Sequence, residues 1–351
     1  MRSGITSLLA VVLGLLAGAL LMAVTGHNPF EGYSYLFQGG LKNPERIGNT
    51  IATATPLIFT GLSVAFAFRT GLFNIGVAGQ MLIGGLCATA IGLSFDLPRA
   101  QLLLLMVISG FIGGAIWGFV PGILKARFNV HEVVSTIMMN WIAYWTVYYV
   151  VPAYFKGAYL ETESRNLSDT ALLKEPFLSE LFGGSYINLG IFIALIAVIL
   201  VAFIIDRTTL GYELKAVGFN RYAAEYTGIA VKRSMALSMV ISGGLAGLGG
   251  VAQYAGNAVN MQIGIMPSQG FDGIAVALLG ANTPAGVLVS AIFFGLLSSG
   301  RGFMNAMTEI PPEIADTIIA IIIYFAATSI LIERLIRWVN RRSSTRGKQV
   351  K

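Results

Sequence analysis

Long apolar runs, separated by short polar or Gly/Pro-rich breaks, dominate this chain. A bilayer core of about 30 Å needs roughly 20 apolar residues in a helix. Measured against that length, the pattern predicts an all-α membrane protein with about ten transmembrane helices. The predicted segments lie near 5–25, 48–68, 75–93, 101–124, 132–152, 188–205, 233–253, 269–281, 284–300 and 313–336.

Two of these segments need comment. The first follows Arg2 and could be a secretory signal peptide, but its length and the further apolar segments favour a retained first span. The eighth is too short to cross a bilayer alone. We therefore expect a half-helix there, separated from the ninth segment at "ANTPAG" by Pro284.

Composition supports lipid as the solvent for most of the chain. The 351 residues are 55% hydrophobic and 11% charged, whereas soluble domains carry about 25% charged residues. One cysteine, Cys87, and two histidines, His27 and His131, are too few for a disulfide framework or a metal-ligand cluster. No metal site is therefore expected.

The basic residues predict the orientation. With ten spans and an inner N-terminus, 16 of the 23 lysines and arginines fall at inner ends and loops, as the positive-inside rule requires. Both termini are then cytoplasmic, 206–232 is an inner loop and 153–187 an outer loop. The outer loop is either a docking surface for an external protein or a plain solvated loop. The basic tail 337–351 indicates contact with anionic membrane lipid rather than with nucleic acid.

Faint self-similarity suggests an inverted repeat. "GLFNIGVA" at 71–78 shares four positions with "GFDGIAVA" at 270–277, and "HEVVSTI" shares its Glu and Thr-Ile spacing with "PEIADTI". Each pair lies five segments apart, so the halves would have opposite orientations.

The repeat halves would be about 48–152 and 233–336, within a single transmembrane domain spanning 1–351. Inverted repeats with broken helices are common in transporters.

Four polar residues within the predicted spans are candidates for a translocation pathway. Asn74 and Gln80 lie in the glycine-rich "FRTGLFNIGVAGQMLIGG", Asn140 lies in the fifth segment and Asp272 opens the eighth. Polar groups at membrane depth face protein or a wet cavity. Either these residues line a pathway, or the amides form interhelical hydrogen bonds and Asp272 caps a helix at the wet outer end.

"GFNRYAAEYTG", residues 218–228, predicts a short helix in the inner loop. Asn220 is a good N-cap, and Gly228 suits the left-handed position after a helix end. Tyr222 and Tyr226 share one face, with Ala223 beside them. Because so short a helix is not stable alone in water, that face should pack on its own membrane domain or on a partner.

Nothing in the sequence would power transport. A nucleotide site needs G-x-x-x-x-G-K-[ST], whereas Gly347-Lys348 is followed by Gln349. Few acidic residues lie within the predicted spans. An energy source on another chain is therefore expected, and this chain is not expected to be an enzyme or to hold a cofactor.

Four ordered motifs resemble one family of membrane proteins. They are "GLFNIGVAGQMLIGG", "HEVVSTIMMNWIA", "TTLGYELKAVGFNRYAAEYTGI" and "DGIAVALLGANTPAG". Over about 48–336 the chain resembles permease subunits of bacterial ATP-binding cassette (ABC) importers, in the family with branched-chain amino acid, ribose and nucleoside permeases. It is most similar to the larger permease of basic-membrane-lipoprotein-linked nucleoside importers.

The resemblance implies a fold like that of the vitamin B12 importer, in the bacterial plasma membrane. It implies a second, shorter permease subunit, an external substrate-binding lipoprotein, and cytosolic ATPase subunits that hold ATP and Mg²⁺. The helix that couples the permease to the ATPase would comprise Asn220, Arg221, Tyr222, Ala223, Glu225, Tyr226 and Gly228. Nucleosides are the implied substrate, with a ribose-like sugar or a branched-chain amino acid as the alternative. The inverted repeat alone would also fit an ion-coupled secondary transporter.

Overall fold

The computed structural model describes residues 2–157 and 160–328. Over these ranges the chain is helical, without a β-strand, and only isolated bridges such as Lys156–Ser164 and Glu163–Gln262 join extended segments. In chain order the α-helices are α1 (Arg2–Val24), α2 (Pro29–Leu41), α3 (Pro44–Arg69), α4 (Val77–Ser94), α5 (Arg99–Phe128), α6 (Glu132–Tyr154), α7 (Pro176–Leu181), α8 (Gly190–Arg207), α9 (Thr209–Phe219), α10 (Arg221–Tyr226), α11 (Val231–Val251), α12 (Gln269–Leu279), α13 (Pro284–Thr308) and α14 (Glu313–Ala327).

Seven helices within the described ranges are long and apolar enough to cross a membrane: α1, α3, α4, α5, α8, α11 with its π-helical extension to Asn257, and α13. The other three predicted spans coincide with α6, α12 and α14. α6 has 23 residues but is rich in Trp and Tyr, and α12 has 11 residues. An all-helical membrane protein is thus confirmed, while the count of about ten spans and the vitamin B12 importer-like fold stay predictions.

The chain forms two compact units. One takes its described residues from Met1–Gly39 and Gly300–Lys351, the other is Gly40–Ser299. In the first unit α1 packs on α14, with Gly14 against Ile322. The predicted basic tail 337–351 lies outside the described residues.

The second unit is built around α11, which packs on α3, α4 and α5. Gly243 and Gly247 of α11 face Gly110, Gly114 and Gly118 of α5, and a Cβ built on Gly118 would lie 3.1 Å from the Gly243 Cα. Glycines spaced four apart let two membrane helices approach backbone to backbone. This close approach places α11 at the centre of the unit.

The basic loops gather at one end of this unit, called the basic end here. Ala67, Val217 and Ala224 share one apolar cluster, against which Ala126 packs. The Arg69 guanidinium donates to the Asn282 carbonyl at 2.8 Å, in the turn between α12 and α13. Because α13 begins at Pro284 and α12 has only 11 residues, the predicted half-helix and its break are confirmed.

The described residues of the segment 153–187 lie at the opposite end and are folded rather than freely solvated. Its backbone pairs with a neighbouring segment, through Ser164 N to Met261 O (2.9 Å) and Leu167 N to Val259 O (2.8 Å). Leu167, Leu172 and Leu173 are buried in one cluster with residues of α4 and α5. Its role as a docking surface stays a prediction.

The two pairs of similar peptides behave differently. Residues 72–75 lie outside any helix, whereas 270–277 belong to α12. In the second pair both peptides start a helix, α6 at Glu132 and α14 at Glu313. The inverted repeat stays a prediction.

We predict that Gly247→Val destabilises the protein by disrupting the contact between α5 and α11. The new side chain would overlap the Gly110 carbonyl and the Gly114 Cα, and overpacking typically costs about 1–3 kcal/mol. Thermal unfolding in detergent measures the effect. Gly302→Val is the matched control, because no atom lies within 4 Å of a Cβ built there. Equal melting temperatures for the two variants would contradict the prediction.

Candidate coupling helix and buried polar network

The predicted short helix is present as α10, with the predicted caps. The Asn220 Oδ1 accepts hydrogen bonds from the backbone N–H of Tyr222 at 3.0 Å and of Ala223 at 3.1 Å. Gly228 follows the helix with φ +87°, a conformation that glycine adopts without strain. These caps satisfy donors at the start of the helix and reverse the chain toward α11.

A single small side chain holds α10 against the unit. Ala224 is buried, whereas Ala223, which the sequence placed beside the tyrosines, is exposed. Ala224 belongs to the apolar cluster at the basic end, with Ala67, Leu72, Val217, Met235 and Met239. The membrane domain therefore supports α10 along its small-residue side and leaves its other side uncovered.

The aromatic side chains of this region point away from the unit. Tyr226 is 97% exposed, Tyr222 68% and Phe219, at the end of α9, 91%. The Arg221 guanidinium lies 4.8 Å from the centre of the Tyr222 ring. The tyrosine face thus does not pack on the described part of its own domain. Phe219 was missed by the sequence argument, although it directly precedes the Asn220 cap.

A cavity of about 230 Å³ lies beside α10 at the basic end. Four of its lining residues are basic and one is acidic: Lys125, Arg127, Arg221 and Lys232, with Glu225. Lys125 is also ion-paired with Glu132 at 2.8 Å. The surface next to the exposed tyrosines is therefore positively charged.

A second set of predicted residues surrounds the break between α3 and α4. Asn74 is fully buried, and its Nδ2 donates to the Gln80 Oε1 and the Ser242 Oγ, both at 2.8 Å. Its Oδ1 accepts from the Gly76 N–H at 3.0 Å. These contacts join the break, the start of α4 and the middle of α11.

Asn140 supports the same break from α6. Its Oδ1 accepts from the Gly79 N–H at 2.8 Å, and its Nδ2 donates to the Ile75 carbonyl at 3.0 Å. The first N–H groups of a helix have no intrahelical partner, so Asn140 caps α4 from another helix. The structure thus brings Asn74, Gln80 and Asn140 together. Their hydrogen bonds correspond to the alternative in which the amides join helices rather than line a pathway. Their part in a pathway stays a prediction.

Serine and threonine residues extend this network, and the sequence argument did not identify them. Ser63 and Ser242 form a hydrogen bond at 2.9 Å, and Thr70 donates to Ser238 at 2.7 Å. Ser234, Ser238 and Ser242 recur every four residues along α11. That spacing places them on one helix face, and this signal was available in the sequence.

Asp272 lies in the first turn of α12 and is partly buried. A Cβ built on the adjacent Gly273 would lie 2.7 Å from the Thr60 side chain, so this turn packs against the middle of α3. Thr60 precedes the end of α3 at Arg69 by nine residues, about 14 Å of helix. This depth favours the alternative in which Asp272 lies within the membrane over the alternative in which it caps a helix at the outer, water-facing end. Its role in transport stays a prediction.

Comparison with known proteins identifies the family. Residues 46–327 match the family described as branched-chain amino acid transport system / permease component. The chain belongs to this family. It is 45% identical to the guanosine ABC transporter permease protein NupP of Bacillus subtilis, over 92% of each chain.

Other members extend the comparison. The nucleoside ABC transporter permease protein NupB of Lactococcus lactis is 42% identical over 95% of this chain and 93% of its own. The glucose ABC transporter permease protein TsgB13 of Haloferax volcanii is 30% identical over 94% and 88%. B. subtilis also has the guanosine ABC transporter permease protein NupQ, which is 28% identical over 71% of this chain and 79% of its own.

We predict that Asn220→Ala frays α10. Loss of an N-cap side chain typically costs about 0.5–2 kcal/mol, here because the Tyr222 and Ala223 amides lose their acceptor. Hydrogen exchange of peptides covering 218–228 should accelerate. Asn220→Asp keeps an acceptor oxygen and should exchange like the wild type. Equal acceleration in both variants would contradict the capping role.

We predict that Asn140→Leu destabilises the whole unit by about 1–3 kcal/mol, because the buried Gly79 N–H and Ile75 carbonyl would lose their partner. Denaturant unfolding in detergent measures the loss. Met138→Leu, at an exposed position of the same helix, is the control. A stability change no larger than that of the control would contradict the prediction.

Proposed function

We propose that this chain is the nucleoside permease subunit of an ABC importer and forms half of the translocation pathway. The observation that carries the proposal is its identity of 45% to NupP and 42% to NupB, over more than nine-tenths of the chain. The multi-pass helical architecture supports the same function.

In this proposal α10 is the coupling helix that receives the movement of an ATPase subunit. Three features support this role: a capped helix, a single buried anchor at Ala224 and an aromatic face that no described residue covers. Tyrosine is enriched among the buried residues that contribute most to the binding energy of protein interfaces. The adjacent basic cavity predicts acidic residues on the matching ATPase surface.

The remaining partners follow from the importer assignment. The second permease subunit would be a shorter paralogue, as the pair of B. subtilis proteins NupP and NupQ suggests. ATP and Mg²⁺ would bind to the ATPase subunits, and a lipoprotein would deliver substrate from outside. The chain would lie in the plasma membrane with both termini in the cytoplasm and its basic end facing the ATPase.

One uptake experiment distinguishes nucleosides from the two alternative substrates, a sugar and a branched-chain amino acid. The resemblance to the glucose permease TsgB13 favours a sugar as the runner-up, and a branched-chain amino acid is the other option within the family. Deleting the gene should abolish uptake of radiolabelled guanosine or uridine and leave uptake of ribose, glucose and leucine unchanged. The reverse pattern would refute the nucleoside assignment. Uptake that survives ATP depletion but is lost with the ion gradient would indicate a secondary transporter.

We predict that the double variant Tyr222→Ala, Tyr226→Ala lowers nucleoside uptake by about tenfold or more, because interface anchors commonly contribute about 2 kcal/mol or more. The same variant should lose the ATPase during copurification, or should retain it with hydrolysis no longer stimulated by the loaded binding lipoprotein. Tyr324→Ala, a control at an exposed tyrosine of α14, should behave like the wild type. Normal uptake and assembly of the double variant would exclude the coupling role.

A further inference from the structure

Four aromatic rings form one cluster on α6. Trp141, Tyr144, Trp145 and Tyr148 follow the i, i+3, i+4, i+7 spacing of a single helix face. Ring centres lie 5.6 Å apart for Trp141–Tyr144, 5.2 Å for Tyr144–Trp145 and 5.4 Å for Trp145–Tyr148. The rings thus form a continuous surface along the helix, called the α6 aromatic face here.

The α6 aromatic face lies at a depth that is unusual for a surface rich in Trp and Tyr. From Glu132, Trp141 lies about 13 Å and Tyr148 about 24 Å along a helix of 23 residues. The face therefore occupies the middle of α6 rather than an end. In membrane proteins Trp and Tyr concentrate at the two interfaces with water, where their polar atoms find partners.

The polar atoms of this face are not satisfied within the unit. Trp141 and Trp145 are more than half exposed. The hydroxyls of Tyr144 and Tyr148 and the indole N–H groups of Trp141 and Trp145 make no hydrogen bond to residues 2–157 or 160–328. In hydrocarbon such groups carry a desolvation cost, so water, substrate or another subunit should meet them.

The outward surfaces of two other long helices provide the contrast. Their large exposed residues within the spans are aliphatic or Phe: Leu104, Leu105, Ile108, Ile112, Ile116, Phe119 and Val120 on α5, and Phe192, Leu195, Ile196, Ile199, Leu200 and Phe203 on α8. That composition suits lipid. α6 exposes Trp and Tyr instead, so contact with lipid does not explain its aromatic face.

The α6 aromatic face also adjoins the polar break. Asn140, which caps α4, directly precedes Trp141. A Cβ built on Gly264 would lie 4.0 Å from the Tyr144 hydroxyl, so the segment leading into α12 borders the cluster. The aromatic rings of α6 thus lie close to the starts of α4 and α12.

We infer that Trp141, Trp145 and Tyr148 form a stacking surface for the nucleobase inside the translocation pathway. Every nucleobase has a planar π-face, so stacking on aromatic side chains tolerates different bases. The indole N–H groups and the tyrosine hydroxyl can bond to base edges or ribose hydroxyls. This inference rests on the proposed nucleoside transport and adds a substrate contact on this chain.

The first test asks whether water reaches the α6 aromatic face. Its result does not depend on transport activity. In the complete importer, reconstituted in lipid with Cys87→Ala, Trp145→Cys should react with a charged, membrane-impermeant thiol reagent. Thiol reactions proceed through the thiolate, which forms in water and not in hydrocarbon. Ile199→Cys, in the middle of the outward apolar surface of α8, is the control and should not react. Absence of reaction at Trp145→Cys would overturn the inference, since the face would then contact lipid or lie sealed in a subunit interface.

The second test asks whether the base is the ligand. Guanosine or uridine in excess should slow labelling of Trp145→Cys by several-fold, whereas ribose should have no effect. Equal protection by ribose, or none by either nucleoside, would overturn the stacking role.

A transport measurement separates this inference from the proposed function. Trp145→Leu should raise the KM for nucleoside uptake by about 5- to 100-fold with a smaller change in kcat, and Trp145→Phe should restore most of the loss because a planar ring remains. Phe203→Leu, at an exposed aromatic position of α8, is the control. Wild-type kinetics in Trp145→Leu would overturn the stacking surface alone. Absence of nucleoside uptake in the wild-type importer would instead refute the nucleoside assignment.

Discussion

The backbone of the break between α3 and α4 must find all its hydrogen-bond partners inside the protein. Water is absent from hydrocarbon, so irregular backbone at membrane depth persists only where protein or a wet cavity surrounds it. Asn74 bonds to the Gly76 amide, and Asn140 bonds to the Gly79 amide and the Ile75 carbonyl. These two amide side chains thus supply partners that the start of α4 needs. They also connect the break to α6, which carries Asn140, and to α11 through the bond from Asn74 to Ser242.

α11 connects α10 with the buried polar network around the break between α3 and α4. Ser242, in its middle, holds Asn74, while Met235 and Met239 share an apolar cluster with Ala224 of α10. Its glycines allow contact with α5 at backbone distance. Closely packed elements have low compressibility and transmit strain. α11 therefore provides a continuous physical connection from α10 to the buried polar network.

Two groups of exposed aromatic residues lie in different settings. Near α10 they are largely exposed beside positive charge at the basic end, which suits a protein partner. On α6 they occupy the middle of a helix of 23 residues, and their polar atoms have no hydrogen-bond partner among the described residues, which suits a planar polar ligand. The large exposed side chains of α5 and α8 lack both features. The types of residue that are exposed at a given depth, rather than exposure alone, distinguish three surfaces: the one near α10, the one on α6, and the outward surfaces of α5 and α8.

Local and periodic features were predictable from the sequence. The apolar runs predicted the all-helical membrane architecture, Pro284 the break after α12, and the Asn220 and Gly228 caps the limits of α10. These features depend on interactions within a few residues or on the solvent, so sequence order alone carries them. The motifs also indicated the family. The folded segment 153–187 was not predicted, because its strand-like pairing joins residues almost a hundred positions apart.

The sequence by itself determined which residues are polar in an apolar chain, and tertiary structure decided what each of them does. Asn140 looks the same in the sequence whether it lines a cavity or caps α4, because its partners lie more than 60 residues away. Ala224 rather than Ala223 anchors α10, since only packing on the basic end selects one side of a short helix. The α6 aromatic face has a legible spacing, but its depth and its uncovered surroundings exist only after the helices have packed.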